Sequence, residues 1–221
     1  MTNYLGKPKP GSAPIYLLRH GDSRPDGVKR YVGRTDHPLN ATGRTQTERW
    51  RTELSGIPFR RFFCSTLIRS DETARIIRGD SGVSVTALPD LCEISMGQWD
   101  GVPMEEIRRS FPEEYRRRGA DPAGHAPPGG ESFIDLRGRV VPLFTRLLRD
   151  EEGPILVVGH AGVNRVILCH LLGMPLDNIF RLGQDYGCMN IIARETGTCR
   201  VEVVNFRPWF GFPVDRDPLL K

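Results

Sequence analysis

Four apolar residues in a row, Ile155-Leu156-Val157-Val158, restrict the fold more than any other feature of the chain. Three of them are β-branched, which suits a pleated strand. An unbroken apolar run reads as a strand covered on both faces, and such a strand needs a layer above it and a layer below. The run stops at Gly159-His160, and a helical pattern follows over 162–172. The same arrangement occurs twice more. Ile15 to Leu18 is a short apolar run that ends at Arg19-His20-Gly21. Arg61-Phe62-Phe63-Cys64 is a second, after which Ser65-Thr66 opens a helix through Ile77.

The remaining pieces fit the same alternation. A helix is predicted from about Thr42 to Leu54 with Thr42 as its N-cap. Residues 83–87 alternate like a strand, 88–101 read as a loop, and short helices are predicted near 103–109 and 112–117. The Gly-, Pro- and Asp-rich stretch 119–130 is a loop. Phe133 to Leu148 has helical apolar spacing, with Pro142 expected to kink it. Met189–Ala193 and Val201–Asn205, joined across Glu195-Thr196-Gly197, predict a closing hairpin. Strand and helix in turn imply an α/β fold of three layers, α/β/α, with a mostly parallel central sheet and helices on both faces. The expected divisions are a flexible N-terminal arm at 1–13, one domain at 14–206, and an aromatic tail at 207–221.

Composition excludes several classes. No apolar run in the 221 residues approaches the roughly 20 that a bilayer span needs. With no apolar segment behind the N-terminal lysines, the expected location is the cytoplasm. Five cysteines at 64, 92, 169, 188 and 199 have no Cys-x-x-Cys spacing, so neither a metal site nor a disulfide framework is expected. The net charge is only +4. Arg116-Arg117-Arg118 is flanked by Glu113 and Glu114 and is too short a basic run to imply nucleic acid. No membrane partner is expected either, and a homodimer is compatible with the sequence.

In parallel sheets, chemistry gathers outside the carboxyl ends of the strands. Arg19-His20, Ser65 to Arg69, and His160 all fall at such ends. Together they resemble what phosphoryl transfer without a metal requires. His20 is a neutral imidazole nucleophile. Arg19 and Arg69 place positive charge on the transferring group, and His160, if protonated, adds a third donor. The helix beginning near Gly162 points its N-terminus at the same place. Gly21 and Gly159 allow close backbone approach.

These residues sit inside six ordered motifs. They are Arg19-His20-Gly21; Tyr31-Val32-Gly33-Arg34-Thr35-Asp36-His37-Pro38-Leu39; Cys64-Ser65-Thr66-Leu67-Ile68-Arg69-Ser70; Glu93-Ile94-Ser95-Met96-Gly97-Gln98-Trp99-Asp100-Gly101; Pro128-Gly129-Gly130-Glu131-Ser132; and Val158-Gly159-His160-Ala161-Gly162. The series resembles the histidine phosphatase superfamily, the phosphoglycerate mutase-like proteins, over roughly residues 15–205. The resemblance implies that His20 becomes phosphohistidine and that Arg19, Arg69 and His160 bind the phosphoryl group. It implies that Glu93 protonates the leaving oxygen and later activates water. It also implies a small phosphorylated metabolite as substrate, with no metal and no cofactor. Some members take the acid from an Asp directly after the second histidine; Ala161 stands there, which favours Glu93.

Members often carry Asn six residues beyond the nucleophile. Asp26 stands there instead, and no role is carried over to it. Ser23 and Arg34 are further candidates for substrate contact, Arg34 being equally placed to neutralise Asp36. Residues 94–99 lack the Arg and Tyr with which cofactor-dependent mutases hold a substrate carboxylate. That favours a phosphatase, whereas Arg116-Arg117-Arg118 argues for a phosphoglycerate mutase. A third reading is a non-catalytic module that docks a phosphorylated partner. Among phosphatases, Gly33-Arg34-Thr35-Asp36-His37-Pro38-Leu39 and Pro128-Gly129-Gly130-Glu131-Ser132 look like the alpha-ribazole phosphatase branch, which serves cobalamin biosynthesis; sugar-phosphate phosphatases share these motifs.

Overall fold

A computed structural model describes residues 13–195 and 198–209. Most of the expected N-terminal arm and the tail beyond Trp209, including Phe210-Gly211-Phe212, lie outside the described residues.

The three apolar runs form the centre of one sheet. They are β1 (Ile15–Arg19), β2 (Arg61–Cys64) and β4 (Ile155–Gly159). The sheet is completed by β3 (Val85–Ala87), β5 (Met189–Glu195) and β6 (Thr198–Phe206), in the order β3-β2-β4-β1-β5-β6. β3, β2, β4 and β1 are parallel, and β5 and β6 are antiparallel additions on one side. β4 lies between β1 and β2, so this strand is covered on both faces and paired on both edges.

Alternation along each strand sorts its side chains into two cores. Ile15, Leu17, Phe63, Ile155 and Val157 enter one cluster; Tyr16, Leu18, Phe62, Cys64, Leu156 and Val158 enter the other. The first face is covered by α5 (Phe133–Asp150) and α6 (Ala161–Leu172). The second is covered by α1 (Ala41–Leu54) and α2 (Ile68–Arg78). Full burial of each Leu, Ile or Val contributes about 1.5–3 kcal/mol, so the two-sided strands are the strongest anchor of the sheet. Two shorter helices, α3 (Met104–Ser110) and α4 (Pro112–Ala120), pack beside the first core through Ile107, Phe111 and Tyr115.

Two local expectations need correction. The N-cap of α1 is Asn40 and not Thr42: its side-chain oxygen accepts from the Gly43 N–H at 2.8 Å. Asn is the stronger cap, and the position also lets Asn40 donate to the Arg24 carbonyl at 3.0 Å. α2 begins at Ile68, because Ser65 is used elsewhere; the Asp36 carboxylate, reaching from outside the helix, accepts from the Ile68 N–H at 2.9 Å. α5 runs from Phe133 through Pro142 to Asp150 as one helix, opened by a reciprocal cap between Ser132 and Asp135.

Candidate active site

β1 delivers Arg19 and His20 to the carboxyl end of the sheet. The His20 N–H donates to the Gly159 carbonyl at 3.1 Å, so the nucleophile loop is tied to the end of β4. Gly21 is required by packing: a Cβ there would come within 2.6 Å of the Gly43 carbonyl oxygen at the start of α1. The Gly21 N–H donates to the Thr73 hydroxyl at 3.2 Å, which joins α2 to the same loop.

The His20 ring is buried, and its Nδ1 lies 2.7 Å from the Gly21 carbonyl. A carbonyl only accepts, so Nδ1 carries the proton and Nε2 keeps its lone pair. Burial pushes the imidazole well below its ordinary pKa of about 6.5, and the Arg69 and Arg19 charges push it further. The ring is therefore neutral, as a nitrogen nucleophile must be.

His160 stands at the N-cap of α6, its ring centroid 5.0 Å from that of His20. Ser65 Oγ lies 2.7 Å from His160 Nε2 and accepts from the Leu67 N–H at 3.2 Å. The other ring nitrogen, Nδ1, is buried without a partner among the described residues. The sequence leaves open whether this histidine is protonated. Burial opposes protonation most strongly, followed by the charges of Arg69, His20 and Arg19, and together they hold His160 well below its ordinary pKa. The ring is held neutral.

Arg69 is 1% exposed and points from the first turn of α2 across the site. Its terminal nitrogens donate to the Thr35 and Gly33 carbonyls at 2.8 and 2.7 Å, and it lies 3.6 Å from Asp36. Its Nε has no partner among the described residues. The motif at 31–39 thus braces Arg69.

Glu93 arrives from the loop after β3, which holds short 3-10 turns at Pro89–Leu91 and Gly97–Trp99. Its carboxylate accepts from the Gly162 N–H at 3.0 Å, at the N-terminus of α6, and from the Ile94 N–H at 2.9 Å. A Cβ on residue 162 would lie 2.5 Å from Glu93 Oε1, so Gly162 leaves room for the carboxylate. His20, Arg69, Glu93 and His160 are drawn together by burial, hydrogen bonding and charge from four separate stretches of chain.

The weaker candidates divide. Ser23 is buried in the loop directly after His20. Arg34 does not neutralise Asp36. It lies 3.8 Å from Glu131 and is 43% exposed, since Asp36 is occupied by Ile68 and Arg69. Asp26 turns outward, accepting from Arg30 at 2.6 Å and from the Val28 N–H at 3.1 Å, so its charge is kept off the site. The basic cluster splits. Arg116 and Arg117 pair with Glu113 and Glu114, while Arg118 is buried with its guanidinium 5.8 and 5.5 Å from the Tyr31 and Phe133 rings and interacts electrostatically with Glu93.

Two supports escaped the sequence. Arg139 of α5 donates to the Asp90, Cys92 and Glu93 carbonyls and to the Glu131 carboxylate, while Glu131 accepts from the Ser95 N–H at 2.7 Å. One side chain thus ties three carbonyls of the Glu93 loop to α5. The segment 184–188 backs the nucleophile: the Arg19 N–H donates to the Cys188 carbonyl at 2.9 Å, and the Gly187 N–H to the His20 carbonyl at 3.0 Å. Neither signal is periodic, so neither is visible in a pattern of apolar residues.

Residues 15–207 match the model of the histidine phosphatase superfamily, branch 1. The chain belongs to that superfamily. It is a phosphatase-type enzyme with the phosphoglycerate mutase-like α/β fold. It is 30% identical to the adenosylcobalamin/alpha-ribazole phosphatase of Escherichia coli over 87% of this chain and 96% of that one. It is 30% identical to the glucosyl-3-phosphoglycerate phosphatase of Mycolicibacterium vanbaalenii over 74% of this chain and 76% of that one. The crystal structure of the alpha-ribazole phosphatase from Shigella flexneri superposes with a TM-score of 0.81 at 29% identity, covering 88% of this chain and 96% of that one. Among the described residues no group of three or more His, Cys, Asp or Glu is placed to hold a metal ion, and no helix is long and apolar enough to cross a membrane.

Proposed function

We propose that the chain is a metal-independent phosphomonoester hydrolase that works through a phosphohistidine on His20. The observation that carries this reading is the His20 ring itself. It is buried and neutral, with Nδ1 committed to the Gly21 carbonyl and the Nε2 lone pair left for phosphorus.

In the first step Nε2 attacks, a P–N bond forms, and the bond from phosphorus to the leaving oxygen breaks. Arg19, Arg69 and His160 bind the equatorial oxygens as charge develops on them. Ser65 donates its hydroxyl proton to His160 Nε2, so the His160 proton sits on Nδ1, where an anionic oxygen can accept it. The unpartnered Nε of Arg69 offers a second such donor. Glu93 gives its proton to the leaving alcohol. In the second step Glu93, now a carboxylate, takes a proton from water, water attacks phosphorus, and the P–N bond breaks to release phosphate. The position after His160 is Ala161, so no side chain there competes for the acid role.

Transfer to water rather than to a second hydroxyl is supported by the relatives, which are phosphatases, and by Arg116 and Arg117, which face solvent in ion pairs. Alpha-ribazole 5′-phosphate is the first substrate to test, given the relatives at both sequence and structure level. The panel should add glucosyl-3-phosphoglycerate, 3-phosphoglycerate and simple sugar phosphates. Release of inorganic phosphate from one of them, with acid-labile and base-stable label on the protein, is expected. Turnover at the native rate by His20→Ala overturns the mechanism. Isomerisation without phosphate release establishes a mutase, and phosphoester binding without either establishes a docking module.

A further inference from the structure

The two arginines of the phosphate pocket are held by different means. Arg69 has two backbone carbonyls and Asp36 around it. Among the described residues, Arg19 has one hydrogen bond from its guanidinium, to the Gln184 carbonyl, and its buried Nε has no protein partner. What else fixes Arg19 is a ring. Its guanidinium carbon sits 3.7 Å from the centroid of Tyr186, within the distance of a strong cation–π contact. The same ring meets the His20 imidazole edge-on, with centroids 5.6 Å apart. A second guanidinium, that of Arg24, lies 5.2 Å from the ring and is tethered by the buried Asp22.

We infer that Tyr186 is a positioning residue for phosphoryl transfer: its ring face orients the Arg19 guanidinium and its edge confines the His20 imidazole, so that cation and nucleophile share one rigid support. The inference rests on the reading of His20 as phosphoryl acceptor.

The ring can serve this way because its backbone is pinned on both sides. On one side the Asp185 N–H donates to Asn205 Oδ1 at 2.7 Å, and the Asp185 carboxylate accepts from Asn205 at 2.9 Å and pairs with Arg207 at 2.8 Å. On the other side Gly187 donates to the His20 carbonyl at 3.0 Å and accepts from the Trp50 indole at 2.6 Å. A side chain that merely filled space here would need neither restraint nor two cations at its ring.

The aromatic face, not the hydroxyl, is the part assigned this work. Tyr186→Phe should therefore keep kcat/KM within about twofold of native, since the ring remains. Tyr186→Leu should lose roughly 10- to 100-fold in kcat/KM, the cost of an ångström-scale misplacement at a reacting centre. Inhibition by inorganic phosphate should weaken in the same variant, because Arg19 no longer holds its geometry. The acid limb of its kcat/KM profile should move to higher pH. His20 is faced by Arg69, Arg19 and His160, and loosening Arg19 removes one of the charges that disfavour its protonation.

A double-mutant cycle with Arg19→Leu keeps the inference open to failure even if Tyr186→Leu folds poorly, with Tyr186→Trp as the second variant at this position. If the ring acts through Arg19, the losses are strongly non-additive. Additive losses, a Tyr186→Phe variant as impaired as Tyr186→Leu, or native rates and phosphate inhibition in Tyr186→Leu would each overturn it. The underlying reading fails differently: native enzyme would then carry no acid-labile label on His20.

Discussion

The phosphate pocket and the Glu93 loop meet at the same reacting centre but are built from different materials. The pocket is an extension of the sheet. His20 follows β1 directly and bonds to the last residue of β4, and His160 follows β4, so the parallel ladder sets their spacing. The Glu93 loop has no ladder. It is suspended from α5 by Arg139 and from α6 by the Gly162 N–H. Under the proposed mechanism, the contrast puts charge binding on the hydrogen-bonded sheet and proton transfer on a side-chain network. Damage to one half should leave the other measurable.

Glu93→Gln should give the largest separation. The leaving oxygen loses its acid, so turnover of alkyl phosphates is expected to fall roughly 10²- to 10⁴-fold. Inhibition by inorganic phosphate should stay near native, because the pocket is untouched. An ester with a good leaving group, such as an aryl phosphate bearing a nitro group, should be largely spared in the phosphorylation step. Equal losses on both kinds of ester would mean that Glu93 belongs to the pocket.

Arg69→Met attacks the pocket itself and should cost about 10²- to 10³-fold in kcat/KM, with phosphate inhibition weakened in parallel. It also carries a pH signature. Burial, and then the Arg69 and Arg19 charges, keep His20 neutral below about pH 6.5. Removing one charge raises the His20 pKa, so the acid limb moves to higher pH and the variant loses rate first as pH falls. A limb that stays in place would place the charge of Arg69 away from His20. The same burial makes both histidines a liability in acid. Below about pH 6.5 the unfolded chain binds protons that His20 and His160 refuse, so stability falls as pH falls.

Arg139→Met should loosen the Glu93 loop without touching phosphate. The expected loss is about tenfold in kcat, with phosphate inhibition unchanged and folding stability lower by about 1–3 kcal/mol from the unpaired carbonyls and Glu131. A loss of phosphate inhibition would show that loop and pocket are one unit. Asp26→Asn is the smallest test. Asp26 faces away and pairs with Arg30 at the surface, so rates should stay within about twofold. A gain in phosphate inhibition would mean that its charge reaches the pocket.

How much of this could be read beforehand follows from where each signal lies. The short continuous apolar runs within 15–18, 61–64 and 155–158 imply the layered sheet, because a strand buried on both faces can be satisfied in few other ways. The motif residues His20, Arg69, Glu93 and His160 stood at predicted strand ends or loops. The N-cap of α1 was misplaced because Asn40 and Thr42 are both competent caps, and only the carbonyl of Arg24 decides between them. The start of α2 was misplaced because Ser65 is a good cap by type, yet its hydroxyl is spent on His160, 95 positions away in sequence.

The sequence by itself determined the alternation of strands and helices and the chemical types present at their junctions. It did so because apolar periodicity and motif order are local properties of the chain. Only the tertiary structure decided the charge state of His160, since that depends on burial and on cations brought in from elsewhere. It also decided which arginine of the Arg116-Arg117-Arg118 cluster turns inward, that Arg139 carries the Glu93 loop, and that Tyr186 lies under Arg19. Each is a contact across tens of residues or a burial set by packing, and no pattern along the chain encodes which one forms.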